Sequence, residues 1–142
     1  MTPPHLKIDF DIFEYGIYKR RLLESSAQDT IFGELFDVGW PGATHRALRN
    51  KTVEEWEAAG RPPSGDRPGE GEVIGVRHLP WGERPWHRYE VGMLSPDFDG
   101  DPEYAVMWAG ESVDAVREVK PAAEIVRDLV RETEEALAAA TP

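Results

Sequence analysis

The sequence predicts a single domain of the α+β class. Its 142 residues fit one domain, and 40% hydrophobic with 30% charged residues is typical of a globular rather than a disordered chain. Helical segments with one apolar face lie near both ends. The strand-forming segments between them do not alternate with long helices, so the pattern indicates neither a barrel nor a doubly wound sheet.

The first segments carry one strand signal, one helix signal and a second strand signal. Residues 7–13, KIDFDIF, alternate apolar and polar side chains as a short strand does. Residues 18–27, YKRRLLESSA, predict a helix with Leu22 and Leu23 facing inward. Residues 29–38, DTIFGELFDV, alternate again and predict a strand.

A second, shorter helix is predicted after the turn GWPGA at residues 39–43. Thr52 and Glu55 have capping-box spacing, which favours Thr52 as the N-cap of a helix that carries Trp56. Gly60 stands where a C-cap glycine belongs.

The second half begins with residues 61–72, RPPSGDRPGEGE, whose prolines and glycines predict an exposed loop. Residues 73–94 contain strand-forming pieces broken by prolines, which indicates an irregular hairpin or a lid-like excursion. Residues 97–110 predict an acidic turn followed by a strand, and Ser112 is the expected N-cap of the next helix.

The last helix is predicted to begin near Pro121, because proline suits a first helical turn. Its apolar residues keep three- and four-residue spacing and form one stripe: Ala122, Ile125, Val126, Leu129, Val130, Ala136 and Leu137. Such a stripe is normally buried, so we expect Ile125, Val126, Leu129 and Val130 to be mostly buried, at least within the complete protein.

The composition excludes several classes of partner and site. The formal charge of −11, from 27 acidic and 16 basic residues, opposes binding to nucleic acid. The chain has no cysteine, which excludes disulfides, thiol catalysis and thiolate metal sites. No apolar run approaches the ~20 residues of a membrane span. The first residues lack the pattern of a signal peptide, so we expect a cytoplasmic protein that does not enter the membrane.

Neither the histidines nor the acidic turn predicts a metal site. No metal-ligand spacing is found among the four histidines His5, His45, His78 and His87. Aspartates alternate in residues 97–101 as they do in a calcium loop. Pro102 and Trp108, however, stand where an EF-hand needs Gly and Glu, so an exposed acidic turn is favoured.

An aromatic cluster lies close to two arginines in residues 81–88. This cluster has two interpretations, and its members are Trp81, Trp86, His87, Arg84 and Arg88. They form either a stacking surface for a ligand or an amphipathic face that packs on a neighbouring surface. Packing is favoured.

Arg46, Arg49 and Asn50 form a second polar group. The two arginines would share one face if this segment were helical, where they would anchor a phosphate or a carboxylate. Buried ion pairing that fixes the domain is equally compatible with the pattern. No carboxylate pair, Ser-His-Asp set or glycine-rich phosphate loop is present, so the sequence predicts no catalytic residue of its own.

The order of segments resembles the C-terminal part of nitronate monooxygenases, formerly called 2-nitropropane dioxygenases. The resemblance runs through YKRRLLESSAQDT, a short strand, HRALRNKTVEEWE, a Gly/Pro loop and MWAGESVDAVREVKPAAEIVRDLV. It spans about residues 18–137, with RALRN and the WAG-S plus PAAEIV arrangement as its signatures. Residues 1–17 show no match and stay unassigned.

The resemblance implies a covering domain at residues 18–142. In the family, a TIM barrel holds FMN noncovalently, and a smaller α+β domain covers the flavin and helps form the substrate pocket. Family enzymes oxidise alkyl nitronates with O₂ to a carbonyl compound and nitrite, with a barrel histidine as base. The barrel, its glycine-rich phosphate turns and that histidine have no counterpart in this sequence. The chain is therefore expected to be inactive on its own and not to bind FMN tightly.

The resemblance also implies site residues. Residues 108–112 would lie against the flavin ring, and this cofactor group consists of Trp108, Ala109, Gly110, Glu111 and Ser112. Small residues there let the backbone approach the cofactor. Arg46, Arg49 and Asn50 would belong to the substrate pocket. Glu111 stands where Gln is common and Trp108 where Tyr is common, which implies an altered flavin potential or substrate preference.

A second interpretation keeps the fold without the enzyme. The chain would then be a stand-alone, non-catalytic binding or interaction module. Without a barrel it would expose apolar surfaces, so it would need a barrel partner or self-association.

Overall fold

The computed structural model describes residues 13–140, with side chains from Gly16 onward. Residues 7–12 of the predicted first strand lie outside this range. The described residues form a mixed α/β domain with three α-helices and two antiparallel sheets. The elements are α1 Phe13–Glu24, β1 Thr30–Gly33, β2 His45–Leu48, α2 Lys51–Ala58, β3 Val73–Leu79, β4 Gly82–His87, β5 Phe98–Gly100 and α3 Ala122–Ala140.

The first sheet pairs β1 with β2, from Thr30 opposite Leu48 to Gly33 opposite His45. The predicted strand within residues 97–110 is not a regular strand, but it lies against β2. The Leu48 amide donates to the Met107 carbonyl at 2.8 Å, and Trp108 forms an antiparallel bridge with Ala47. This contact positions the segment that leads to residues 108–112.

The second sheet has the order β4-β3-β5, and its β3–β4 pair is the predicted irregular hairpin. Two glycines allow β3 and β5 to approach. A Cβ on Gly75 would lie 2.4 Å from the Phe98 ring, and one on Gly100 would lie 2.3 Å from the Ile74 carbonyl oxygen. The Phe98 ring then packs edge-on against Trp86, with centroids 5.1 Å apart.

The core lies between the two sheets and the N-terminal half of α2. Its buried apolar residues are Leu35, Phe36, Ala47, Leu48, Val53, Trp86, Tyr89, Leu94, Phe98, Ala105, Val106 and Met107. Partly buried side chains of α1, among them Tyr18 and Leu22, pack against this cluster. The predicted inward side of α1 is thereby confirmed at Leu22, although the helix begins earlier than expected, at Phe13.

The expected N-cap of α2 is wrong. Asn50, not Thr52, is the N-cap, and its side-chain oxygen accepts a hydrogen bond from the Val53 amide at 3.2 Å. Thr52 is instead buried within the first turn, where its hydroxyl donates to the Tyr104 carbonyl at 2.9 Å. Asn50 also donates to the Ala105 carbonyl at 2.7 Å, so one side chain joins the helix to the extended segment beside β2. Gly60 follows the C-cap with φ +84°, as expected of a C-cap glycine.

Ser112 is not an N-cap either. Residues Glu111–Ala115 form a 3₁₀ helix whose N-cap is Gly110, and no side chain caps it. This short helix is held from outside, since the Asp114 carboxylate accepts a hydrogen bond from the Ala27 amide at 2.7 Å. The next α-helix does not begin until Ala122.

The apolar stripe of α3 is exposed rather than buried. Ile125, Val126, Leu129 and Val130 are between 52% and 63% exposed, and no residue of α3 is buried. The three- and four-residue spacing correctly predicted a helix. Burial of its stripe, however, requires a surface that the described part of the chain does not bring to it.

We expect Asn50→Ala to lower the free energy of unfolding by about 2–3 kcal/mol, because it removes the N-cap and leaves the Ala105 carbonyl unsatisfied in the interior. Chemical denaturation measures this loss. Ser112→Ala is the matched control, since Ser112 is exposed and caps no helix, and it should change the stability by less than about 0.5 kcal/mol. Equal effects of the two substitutions would contradict the assignment of Asn50.

Candidate functional site

The turn at residues 108–112 is open to solvent. Gly110, Glu111 and Ser112 are exposed, and Ala109 is half-buried. A Cβ built on Gly110 would meet nothing closer than the Ser112 hydroxyl at 3.5 Å. Another molecule can therefore approach the backbone of this turn closely.

The turn is joined to β2 by an ion pair. Arg46 Nη2 lies 2.8 Å from Glu111 Oε1. The other terminal nitrogen of Arg46 donates to the Thr30 hydroxyl at 2.8 Å, and its guanidinium carbon lies 5.5 Å from the centre of the Phe32 ring. Arg46, from the predicted substrate group, therefore contacts Glu111, from the predicted cofactor group. This contact lies at the surface, because the Glu111 side chain is 69% exposed.

The other two members of the arginine group lie elsewhere. Arg49 forms an ion pair with Glu57 of α2 at 2.7 Å, and Asn50 is buried as the α2 cap. Residues 45–48 form a strand, so Arg46 and Arg49 do not share a helical face. Arg49 is ion-paired, as one of the two interpretations had it, but the pair is not buried, because the Arg49 side chain is 38% exposed. Of the two arginines, only Arg46 reaches the turn.

Trp108 anchors the turn from the inside. Its indole N–H donates to the Gly92 carbonyl, and its own carbonyl accepts the Tyr18 hydroxyl, each at 2.5 Å. Its ring lies edge-on to His45, with centroids 5.1 Å apart. Burial raises the pKa of Tyr18, which keeps its hydroxyl protonated and able to donate.

A cleft of about 330 Å³ lies beside β1. Its apolar lining includes Ile31, Leu35, Trp56, Pro62 and Pro63. Such a cleft can take a small apolar group, but polar side chains that would orient a ligand are largely committed to the protein itself.

His45 shows this commitment most clearly. Its Nε2 accepts a hydrogen bond from the Phe36 amide at 3.2 Å, and its Nδ1 donates to the Ala43 carbonyl at 3.0 Å. Both ring nitrogens are therefore used by the backbone of the β1–β2 connection. His45 fixes that connection and offers no free base to the cleft.

The predicted aromatic cluster separates into buried and exposed parts. Trp86 and Arg88 are buried, in agreement with the packing interpretation. Trp81 is 81% exposed at the tip of the β3–β4 hairpin. Arg84 reaches back to pair with the buried Glu90, which also accepts the His87 amide at 3.1 Å. The five residues form no common surface.

The loop at residues 61–72 was expected to be exposed, but it contributes a buried arginine. The guanidinium of Arg67 pairs with Asp37 at 2.8 Å and with Glu70, and its side chain is only 3% exposed. It lies over the Tyr89 ring at 4.3 Å. Only the Pro/Gly composition was visible in the sequence, and nothing in that composition indicates that one charged residue is drawn inward.

Arg88 extends this arrangement into a ladder. Its guanidinium lies 5.5 Å from the Tyr89 ring and 4.7 Å from the Tyr104 ring, and it pairs with Glu55 at 2.7 Å. The hydrogen bond from Arg88 lowers the pKa of Glu55. Glu55 was expected to complete a capping box with Thr52, but its carboxylate instead pairs with Arg88 in this ladder.

Two kinds of site are absent from the residues that the structure describes. No group of three or more histidine, aspartate and glutamate side chains there could hold a metal ion. Among the helices in this range, none has the length and apolar character needed to cross a membrane.

Comparisons with known proteins do not assign the chain to a family. No protein-family model, no curated protein and no solved structure matches it.

The Arg67–Glu70 pair predicts a specific acid sensitivity. Its hydrogen bonds, chiefly from Arg67, hold the pKa of Glu70 at about 2, below its ordinary value of 4.5. Because the folded-state pKa is depressed, this stabilisation is complete above pH 4.5 and is lost as the pH falls toward 2. Glu70→Gln should therefore remove about 2 kcal/mol of stability at pH 7 and flatten the decline of stability below pH 4.5.

Denaturation curves between pH 7 and pH 2 measure both effects. Glu34→Gln is the matched control, because the exposed Glu34 forms no ion pair or hydrogen bond within the described residues. An acid decline that is as steep in Glu70→Gln as in the wild type would assign the acid sensitivity to other carboxylates.

Proposed function

We propose that this chain is the C-terminal covering domain of a nitronate monooxygenase-like, FMN-dependent oxidoreductase. It would act only together with a flavin-bearing barrel that is not among the described residues. The observation that carries the proposal is the meeting of Arg46 with Glu111 at an exposed, sterically open turn. The Arg46 guanidinium and the open backbone at Gly110 therefore lie on the same surface.

The described residues fit one side of a flavin but not a complete flavin site. The open backbone at Gly110 leaves room for a flat ring, and Trp108 holds the turn from behind. FMN, when bound, would supply the two-electron oxidation of the nitronate. A phosphate anchor would need a glycine-rich turn or clustered cations. Arg49 pairs with Glu57 of α2, so Arg46 is a single cation at this turn and not part of a cluster.

Arg46 is the residue that we expect to hold the substrate. A nitronate is an anion, and a guanidinium can donate two parallel hydrogen bonds to its paired oxygens. Glu111 occupies that guanidinium in the absence of substrate, so it competes with the nitronate. The pair is largely exposed and contributes only about 0–1 kcal/mol, which makes the exchange of one anion for the other feasible.

The second candidate function is a non-catalytic interaction module. The specific observation in its favour is the exposed apolar stripe of α3, which is typical of a contact surface. Such a module would not need Arg46 to bind nitronates, so ligand binding distinguishes the two functions.

Substitution at the Arg46–Glu111 pair should change nitronate binding in opposite directions. Glu111→Gln removes the competing carboxylate and should tighten binding of an alkyl nitronate by about fivefold, the equivalent of ~1 kcal/mol. Arg46→Gln should abolish the binding. Amide shifts of Ala109 and Gly110 in a nuclear magnetic resonance titration report both effects.

The parent nitroalkane is the matched control ligand, since it has the same carbon skeleton without the charge. It should shift neither amide. Nitronate binding that survives Arg46→Gln unchanged would sink the proposed role of this residue and favour the interaction module.

The chain alone should bind FMN no better than the millimolar range, because a missing phosphate anchor forfeits several charge-assisted hydrogen bonds. Titration of FMN fluorescence with the purified chain measures this affinity, and riboflavin, which lacks the phosphate, should bind equally weakly. A yellow protein that retains stoichiometric FMN would show that the chain forms a complete flavin site.

A further inference from the structure

Strand β1 forms the free edge of the first sheet, since only β2 pairs with it among the described residues. Just before the strand begins, the Asp29 carbonyl accepts a hydrogen bond from the Arg49 amide at 2.8 Å. Paired positions of an antiparallel ladder alternate between bonded and non-bonded pairs, so Ile31 and Gly33 also turn their backbone groups toward β2. The amide and the carbonyl of Phe32 consequently point away from β2.

The far side of β2 shows the same alternation. The Leu48 amide donates to the Met107 carbonyl at 2.8 Å. The Ala109 amide donates to the Arg46 carbonyl at 3.3 Å, so Arg46, which lies opposite Phe32, turns its backbone away from β1. Neither backbone group of Phe32 forms a hydrogen bond within the described residues. The strand therefore offers one free donor and one free acceptor at its outer edge.

The cleft of about 330 Å³ follows the same stretch of chain, because residues 31–35 line it. Residues 61–64 and the Trp56 ring also line it. The indole N–H of Trp56 donates to the Pro62 carbonyl at 2.9 Å, so the polar group of this ring is already satisfied. An apolar side chain fits this cleft, and the free backbone groups of Phe32 can orient the molecule that carries it.

One charged residue at this edge has no partner among the described residues. Glu34, directly after β1, is exposed and forms no ion pair or hydrogen bond there. The two arginines that line the cleft are neutralised within the chain. Arg61 pairs with Glu57 at 2.6 Å, and Arg67 pairs with Asp37 at 2.8 Å. Because the whole chain carries a formal charge of −11, a basic side chain of a partner is favoured beside Glu34.

We propose that the edge of β1 binds an extended peptide segment of a partner protein, which joins the sheet as a further strand. A donor and an acceptor on one extended residue match another extended backbone. The segment places an apolar side chain in the cleft and a basic side chain beside Glu34. It uses β1 and the cleft rather than the Arg46–Glu111 turn, so it is independent of the proposed function.

The antiparallel arrangement of the rest of the sheet defines a register for this segment. One peptide residue exchanges two hydrogen bonds with Phe32, and the residue before it lies opposite Gly33. A Cβ built on Gly33 would meet no atom within 4 Å, so a bulky peptide side chain has room there. Ile31 lies on the same face of β1 and lines the cleft, so this is the side chain that enters it. The preceding peptide residue approaches Glu34.

Hydrogen exchange followed by nuclear magnetic resonance tests the free edge and its occupation. In the free chain, the Phe32 amide should exchange at least about tenfold faster than the Ile31 amide, which is bonded to β2. The probe is the peptide acetyl-Lys-Leu-Thr-Val-Thr-amide, whose Leu lies opposite Gly33 and whose central Thr pairs with Phe32 in this register. Excess probe should slow the exchange at Phe32 and leave that at Ile31 unchanged.

Two substitutions at Phe32 separate its backbone from its ring. Phe32→Pro removes the outward amide but no bond to β2, which is the position at which an edge strand tolerates proline. It should weaken probe binding about tenfold, because one hydrogen bond is lost. Phe32→Ala is the matched control, since it removes the same ring, keeps the amide and should bind the probe within about twofold of the wild type. Titration of the Gly33 amide shift measures both affinities.

Two altered probes test the same contacts from the side of the peptide. Methylation of the central Thr nitrogen removes the donor to the Phe32 carbonyl and should weaken binding about tenfold. Replacement of the probe's Lys by Glu should weaken binding about threefold, as expected of an exposed charge pair. Glu34→Lys should reverse this preference between the two probes.

Three results would overturn the inference. A Phe32 amide that is already protected in the monomeric free chain would mean that another part of the chain covers the edge. Protection that rises with protein concentration, together with a dimer in sedimentation equilibrium, would mean that a second copy covers it. Probe binding that survives methylation, or an equal loss in Phe32→Pro and Phe32→Ala, would show that the peptide does not join the sheet.

Discussion

Two buried arginines place the strongest constraint on this fold. Arg67 and Arg88 both lie over the Tyr89 ring, and Arg88 also lies over the Tyr104 ring. A guanidinium taken out of water must be paired, and each of these is, Arg67 with Asp37 and Glu70, and Arg88 with Glu55. Removal of Glu55 would take away the nearest carboxylate of the buried Arg88 and would therefore destabilise the fold. Tyr89, which both arginines contact, is itself in the left-handed region with φ +65°.

The ladder also determines where the candidate site lies. Tyr104 ends the short 3₁₀ helix Pro102–Tyr104, and the chain then runs straight along β2 to Trp108. The Tyr104 carbonyl and the next one along are both bound from α2, by Thr52 and Asn50. The open turn at Gly110 therefore follows a segment that hydrogen bonds hold in place, as a binding loop requires.

The two outward-facing features of the molecule differ in their chemistry. The turn beside Arg46 is polar and charged, and it carries the exposed Arg46–Glu111 ion pair. The exposed stripe of α3 is apolar, which suits it to a protein surface rather than to a small anion.

Several local features of this protein follow from short stretches of its sequence. The spacing in α3, the prolines and glycines around the β3–β4 hairpin and the glycine after α2 each predict structure from a few adjacent residues, and the structure agrees. The sequence also determined the mixed α/β class. Tertiary structure decided which polar side chain serves which purpose. Asn50 displaced Thr52 as a cap because it also reaches Ala105, and Arg46 separated from Arg49 because β1 pairs with residues 45–48. Arg67 turned inward because Tyr89, Asp37 and Glu70 surround it. Those partners lie in other parts of the chain, and local spacing carries no information about contacts that only folding brings together.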